Sequence, residues 1–150
     1  RDDAAAVRFQ GHTIDQIARS LNEIVRYAAD FGQVIRLEVH GRRTSELPVI
    51  KQIMDRVSEP AVGLCWNCNP EDLLPPGLEA NFRLVRDRFG DTLHVRELDS
   101  TDYPYPELMK LLVQTRYRGW VLLEARTAPA DRVAAMKAQL ELFRTLAGGI

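Results

Sequence analysis

Apolar positions along this chain alternate between a helical and a strand period, and the alternation repeats. Ile14, Ile17, Ala18, Leu21, Ile24, Val25 and Ala28 recur at helical spacing. They follow Thr13-Ile14-Asp15-Gln16, a capping-box pattern in which a hydroxyl and a Gln side chain satisfy free N–H groups. The spacing predicts a helix from Thr13 that stops at Gly32. Residues 34–40 then alternate with period two until Gly41 breaks the run, which predicts a strand ending in a loop. Val49, Ile50, Ile53, Met54 and Val57 return to helical spacing, Pro60 interrupts, and 61–66 reads as a second strand.

The unit recurs twice more. Leu74-Pro75-Pro76-Gly77 leads into a helix with Leu78, Phe82, Val85 and Phe89 on its apolar face, closed by Gly90-Asp91. A third strand is expected over 92–98. Tyr103-Pro104-Tyr105-Pro106 opens a helix through Leu108, Leu111 and Leu112, and Gly119 precedes a fourth strand over 120–125. Pro129 fits the first turn of a last helix whose buried stripe is Val133, Met136, Leu140 and Phe143. The order is one helix followed by four strand-helix units with no internal linker, so residues 1–150 are read as a single domain.

Successive strand residues face opposite sides, so parity sorts the side chains. Arg36, Glu38 and His40 share one face of the first strand, with Ile35, Leu37 and Val39 on the other. Gly63, Cys65 and Asn67 group in the second strand, Thr92, His94 and Arg96 in the third, and Trp120, Leu122 and Glu124 in the fourth. A sheet covered by helices on both faces reads as continuous apolar runs. Here one face is polar in at least two strands, which favours the inside of a parallel (β/α)8 barrel. Such a barrel needs eight strands and this chain supplies four. The expectation is an α/β chain of four βα units, the C-terminal half of a TIM barrel, completed by an N-terminal half or by a second copy. The first ~12 residues would be loop carried over from a preceding unit.

Composition narrows the partners. A chain with 45% hydrophobic and 27% charged residues can build a core, and its net charge of −1 offers no broad basic field, so no nucleic-acid partner is expected. No apolar run approaches the ~18 residues needed to cross a bilayer, and Arg1-Asp2-Asp3 does not resemble a signal peptide. No membrane partner follows, and a cytoplasmic setting is the default. Cys65 and Cys68 are too few and too close together for a disulfide framework, which suits a reducing compartment.

Each strand carries a polar group with ligand capacity near its C-terminal end: Glu38 with His40, then Asn67, His94 and Glu124. The intervals from Glu38 to Asn67 to His94 to Glu124 are 29, 27 and 30 residues, each one βα repeat. That recurrence gathers the four on one rim of a parallel sheet, where α/β proteins build their sites. The duller alternatives are ion pairing of the glutamates with Arg36, Arg96 or Arg126, and a hydrogen-bonded core role for His94. Arg42-Arg43 has phosphate-binding capacity but reads as a solvated loop pair. Cys65-Trp66-Asn67-Cys68 matches C-x-x-C, yet one pair is half of a zinc knuckle and lacks the helix start of a redox motif.

Glu38-Val39-His40-Gly41, Val62-Gly63-Leu64-Cys65-Trp66-Asn67, His94-Val95-Arg96-Glu97-Leu98 and Leu122-Leu123-Glu124 resemble the last four strands of the xylose isomerase-like barrels. That superfamily holds sugar phosphate isomerases and epimerases, inosose dehydratase and endonuclease IV. The resemblance runs from about residue 13 onward and implies a divalent metal (Mn, Mg, Co or Zn) held by Glu38, Asn67, His94 and Glu124, with Glu38 and Glu124 also moving protons. It implies a sugar or polyol substrate, with His40, Arg96 and Trp66 as candidate substrate contacts. Asn67 stands where the family has Asp, and Pro70 where a His often follows. A neutral donor in place of a carboxylate lowers affinity for a dication.

The expected activity is metal-dependent isomerisation or epimerisation of a sugar or sugar phosphate by proton transfer through an enediolate. A carboxylate on each side of the carbon suits that task, and a dication polarises the oxygens. Two alternatives stay open. One is a catalytically degenerate barrel that binds a polyol or a partner protein. The other is an endonuclease IV-like repair enzyme, which the scarcity of further histidines and of positive charge disfavours.

Overall fold

The predicted strand segments form a four-stranded parallel sheet in the order β1-β2-β3-β4. In this computed structural model the backbone of residues 2–148 and the side chains of 11–148 are described. The strands are β1 (Ile35–Glu38), β2 (Val62–Asn67), β3 (Phe89–Val95) and β4 (Trp120–Leu123). The helices are α1 (Asp2–Ala29), α2 (Leu47–Arg56), α3 (Leu78–Val85), α4 (Tyr105–Gln114) and α5 (Arg132–Gly148), with short 3-10 turns at Pro70–Leu73 and Arg86–Arg88. Neighbouring parallel strands joined by right-handed crossovers put every connecting helix on one face of the sheet. Each helix packs against the next, from α1 on α2 to α4 on α5. The polar face carries none of them.

The core lies between helices and sheet. Ile14, Ala18, Leu21 and Val25 of α1 and Ile50, Ile53 and Met54 of α2 are buried there. Trp66 of β2 meets Phe82 and Phe89 at 5.6 Å each, and Phe82 meets Phe89 edge-on at 5.1 Å, offset geometries favoured by the ring quadrupoles.

Four expectations are corrected. The segment expected as carried-over loop is helical from Asp2, so Thr13 lies inside α1 and not at its N-cap. Ala4-Ala5-Ala6 favours helix, and a single Gly11 costs about 1 kcal/mol without breaking it. Gly90-Asp91 does not close the third helix: α3 ends at Val85, and Phe89 begins β3. Phe89 instead pairs in parallel with Leu64 of β2, and the Arg36 side chain lies over Gly90 and would collide with any Cβ there. A Cβ on Gly63 would likewise stand 2.8 Å from Gly90 Cα. The last helix starts at Arg132, beyond Pro129, and only part of its expected stripe is covered: Phe143 packs against the core together with Leu142 and Leu146, while Val133, Met136 and Leu140 are exposed. Trp66, a candidate sugar contact, is fully buried among the core aromatics. It lies one residue before Asn67, hence on the opposite face. Among the described residues no helix is long and apolar enough to cross a membrane.

Candidate active site

The parallel register sets Asn67 beside His94, and His94 beside Leu122. Glu124 follows β4, and its N–H donates to Val95 O at 2.8 Å, extending the ladder by one step. Parity then brings Glu38, His94 and Glu124 together on the open face. One ligand atom from each lies within 4.8 Å of the other two. His94 Nδ1 is 3.3 Å from Glu38 Oε1 and 3.8 Å from Glu124 Oε2. All three side chains retain solvent access.

Two neighbours hold the carboxylates in place. The Asn67 amide Nδ2 donates to Glu38 Oε1 at 2.9 Å and stands 3.4 Å from His40 Nδ1, while its buried Oδ1 has no partner among the described residues. Arg96 pairs with Glu124 Oε2 at 2.6 Å and donates to the Glu124 carbonyl at 3.1 Å. The ion-pair reading of Glu124 is therefore realised, and it coexists with membership of the cluster. Arg36 goes elsewhere, to Asp91 at 2.6 Å. His40 sits exposed at the rim, and Arg42 and Arg43 lie in the exposed loop beyond it.

Below the rim lies a buried polar hub that sequence reasoning missed. Asn69 Nδ2 donates to Val39 O at 2.6 Å and to Asn67 O at 2.9 Å, tying the ends of β1 and β2 together. Asp72, fully buried, accepts from Asn69 N at 3.0 Å and Tyr103 Oη at 2.8 Å. Burial pushes its carboxyl up to about 7 against those hydrogen bonds. Tyr103 stacks on Tyr105 at 5.1 Å, and the Tyr105 hydroxyl accepts from Arg96 N at 3.0 Å. The Asn69-Pro70-Glu71-Asp72 turn was the available signal: an Asn with Asp three residues on is a capping pattern.

Glu97 fastens the loop after β4 by accepting from Arg126 N at 3.0 Å and from Thr127 N at 2.8 Å and Thr127 Oγ1 at 2.5 Å. The Thr127 hydroxyl is the main reason its carboxyl falls to about 2. Cys65 and Cys68 are free and buried, and burial raises both thiols, Cys68 to about 12. Burial of this kind disfavours the thiolate that a redox C-x-x-C would need. A recess of about 930 Å³ opens between α5 and the loops after β3 and β4, with Arg96, Tyr105, Leu123 and Met136 on its walls. It adjoins the cluster through Arg96 and does not contain it.

One imidazole and two carboxylates at these separations fit a divalent cation: bonds of about 2.0–2.2 Å would require the cluster to contract by under about 1 Å. Asn67 presents its NH₂, not its oxygen, to Glu38. Half a turn of the amide would bring the unpartnered Oδ1 to that side as a neutral donor.

No family model and no curated protein matches the chain. Among solved structures it is similar to the apo form of the 3-keto-D-glucoside 4-epimerase YcjR from E. coli, with a TM-score of 0.70 and 20% identity over 85% of this chain and 52% of that one. The likeness is one of fold, and this chain spans about half the length of that enzyme.

Proposed function

We propose that this chain carries the proton-transfer site of a sugar isomerase or epimerase, built on four βα units that form the C-terminal half of a (β/α)8 barrel. The observation that carries the reading is the pair of carboxylates, Glu38 and Glu124, flanking His94 on an open rim. One carboxylate takes the proton from the carbon next to a carbonyl, and the electron pair of that C–H bond moves toward the carbonyl oxygen to give an enediolate. The other returns a proton to the opposite face or to the neighbouring carbon. Arg96 fixes the orientation of Glu124, Asn67 that of Glu38, and His40 is positioned at the rim to meet a substrate hydroxyl. Glu38, His94 and Glu124, with Asn67 once its amide has turned, would hold a divalent cation. When bound, that ion polarises the carbonyl and stabilises the enediolate charge. The epimerase likeness of the fold supports a sugar substrate.

Deuterium uptake tests the reading. The intact protein with Mn²⁺ and a 3-keto glucoside in D₂O is expected to exchange the proton next to the carbonyl, and Glu124→Gln to slow exchange by about 10²–10⁴-fold. Absence of exchange, or wild-type exchange in Glu124→Gln, would remove Glu124 from catalysis.

A second reading, a barrel that binds a polyol without turnover, is favoured by the Asn67 NH₂ donating to the oxygen of Glu38 that a cation would take. Asn67→Asp separates the two. Restoring a carboxylate is expected to tighten Mn²⁺ binding by about tenfold, roughly 1.4 kcal/mol, in calorimetric titration. Unchanged affinity would exclude position 67 from the ligand set.

A further inference from the structure

One buried carboxyl joins the two sides of the candidate site. Asp72 has no solvent access, and both of its side-chain hydrogen bonds fall on a single oxygen, Oδ2. Asn69 N donates to it at 3.0 Å from the turn after β2, and Tyr103 Oη at 2.8 Å from the loop after β3. The other oxygen, Oδ1, is buried without a partner among the described residues. Burial favours the neutral acid.

From Oδ2 one arm runs to Glu38. Asn69 Nδ2 grips Val39 O at 2.6 Å and Asn67 O at 2.9 Å. Val39 follows Glu38 in the chain, and the Asn67 amide donates to Glu38 Oε1 at 2.9 Å. A second arm runs to Glu124. The Tyr103 ring lies against Tyr105 at 5.1 Å, Tyr105 Oη accepts from Arg96 N at 3.0 Å, and Arg96 pairs with Glu124 Oε2 at 2.6 Å. Cys68, beside Asp72 and Tyr103, donates its thiol to His94 O at 3.4 Å, so the strand end that carries the imidazole meets the same cluster.

Resting on the proton-transfer reading above, we propose that Asp72 is a positioning residue for that reaction: by accepting from the turn after β2 and the loop after β3 at one atom, it sets Glu38 and Glu124 against each other across the substrate. Space-filling does not call for a carboxyl here, since an apolar side chain of similar volume would occupy the site without the desolvation cost. It could not accept from two segments at once. β1 and β4 are not neighbours in the sheet, so no ladder hydrogen bond ties the strand of Glu38 to that of Glu124. The Asp72 network supplies that tie, and a buried network with its donors satisfied holds its members in one arrangement.

The test reads the carboxyl ¹³C resonances of Glu38 and Glu124 in the intact protein labelled at glutamate, assigned with Glu38→Gln and Glu124→Gln. At about pH 6, where the Asp72 carboxyl is neutral, Asp72→Asn is expected to leave both resonances in place, because an amide oxygen accepts as the acid does. Asp72→Ala should move both, Asn69→Ala that of Glu38 alone, and Tyr103→Phe that of Glu124 alone. Deuterium uptake by the 3-keto glucoside should fall about 10–100-fold in kcat in Asp72→Ala with KM within about twofold, and recover in Asp72→Asn. Resonances unmoved in Asp72→Ala, a shift of only one of them, or an equal loss of activity in Asp72→Asn would overturn the proposal. If Asp72→Ala does not fold, the two single-arm variants decide: either of them moving both resonances, or neither, overturns it. The expected shifts in a protein that takes up no deuterium would instead sink the proton-transfer reading alone.

Discussion

β2 and β4 are both short apolar strands lying parallel to their neighbours, yet all six residues of β2 are buried while Trp120 at the start of β4 is 72% exposed. α4 and α5 differ in the same way: Met109 is 1% exposed and Met136 is 65%. Residue type does not separate Met109 from Met136, nor Trp66 from Trp120. Neighbours do, because β2 has a strand on each side and helices over its apolar face, whereas β4 has one strand and α5 contributes no fully buried residue. The candidate site straddles this divide. His94 rises from the inner strand β3, whereas Glu38 ends the edge strand β1 and Glu124 follows the edge strand β4, held by Arg96 and one ladder hydrogen bond.

The contrast is sharpened most by removing a ring from the closed side. Phe82→Ala should cost about 3–5 kcal/mol in urea unfolding, since the cavity between Trp66 and Phe89 cannot collapse. A loss below about 1 kcal/mol would mean the closed side is no better packed than the open one.

Asp72 gives the next largest effect, through pH. Its folded carboxyl titrates near 7, well above the usual value of 3.8, so the folded state holds this proton more tightly than the unfolded chain. The associated stability is fully present below about pH 4 and is lost as pH rises through about 7, on the order of 3 kcal/mol. Asp72→Asn should remove that slope, leaving the variant more stable than wild type at pH 8 and similar near pH 4. Parallel pH profiles for the two proteins would show that Asp72 is not held in its neutral form.

The smallest effect belongs to the open flank. Met136→Ala in the isolated chain should change unfolding stability by less than about 0.5 kcal/mol, because the side chain is already solvated. A loss comparable to that of Phe82→Ala would erase the distinction between the flanks.

Much of the architecture was readable along the chain because period is a local property. The order of helices and strands, the parity that puts Arg36, Glu38 and His40 on one face, and the repeat that brings Glu38, His94 and Glu124 to one rim all follow from spacing. The start of β3 did not: Phe89 fits a helical face as well as a strand, and its parallel pairing with Leu64, 25 residues away in sequence, is a contact between distant segments. The Asp72 hub was equally hidden, since its partners Asn69 and Tyr103 arrive from different loops.

Local sequence thus specified the elements and which polar groups share a face, because backbone periodicity acts over a few residues. Contacts between distant segments decided the rest. They buried Trp66 rather than exposing it at the rim, turned the Asn67 amide nitrogen toward Glu38, paired Arg96 with Glu124, and left Val133, Met136 and Leu140 of α5 uncovered. Burial and hydrogen bonding depend on what stands opposite a side chain, and only the folded arrangement of strands and helices supplies that.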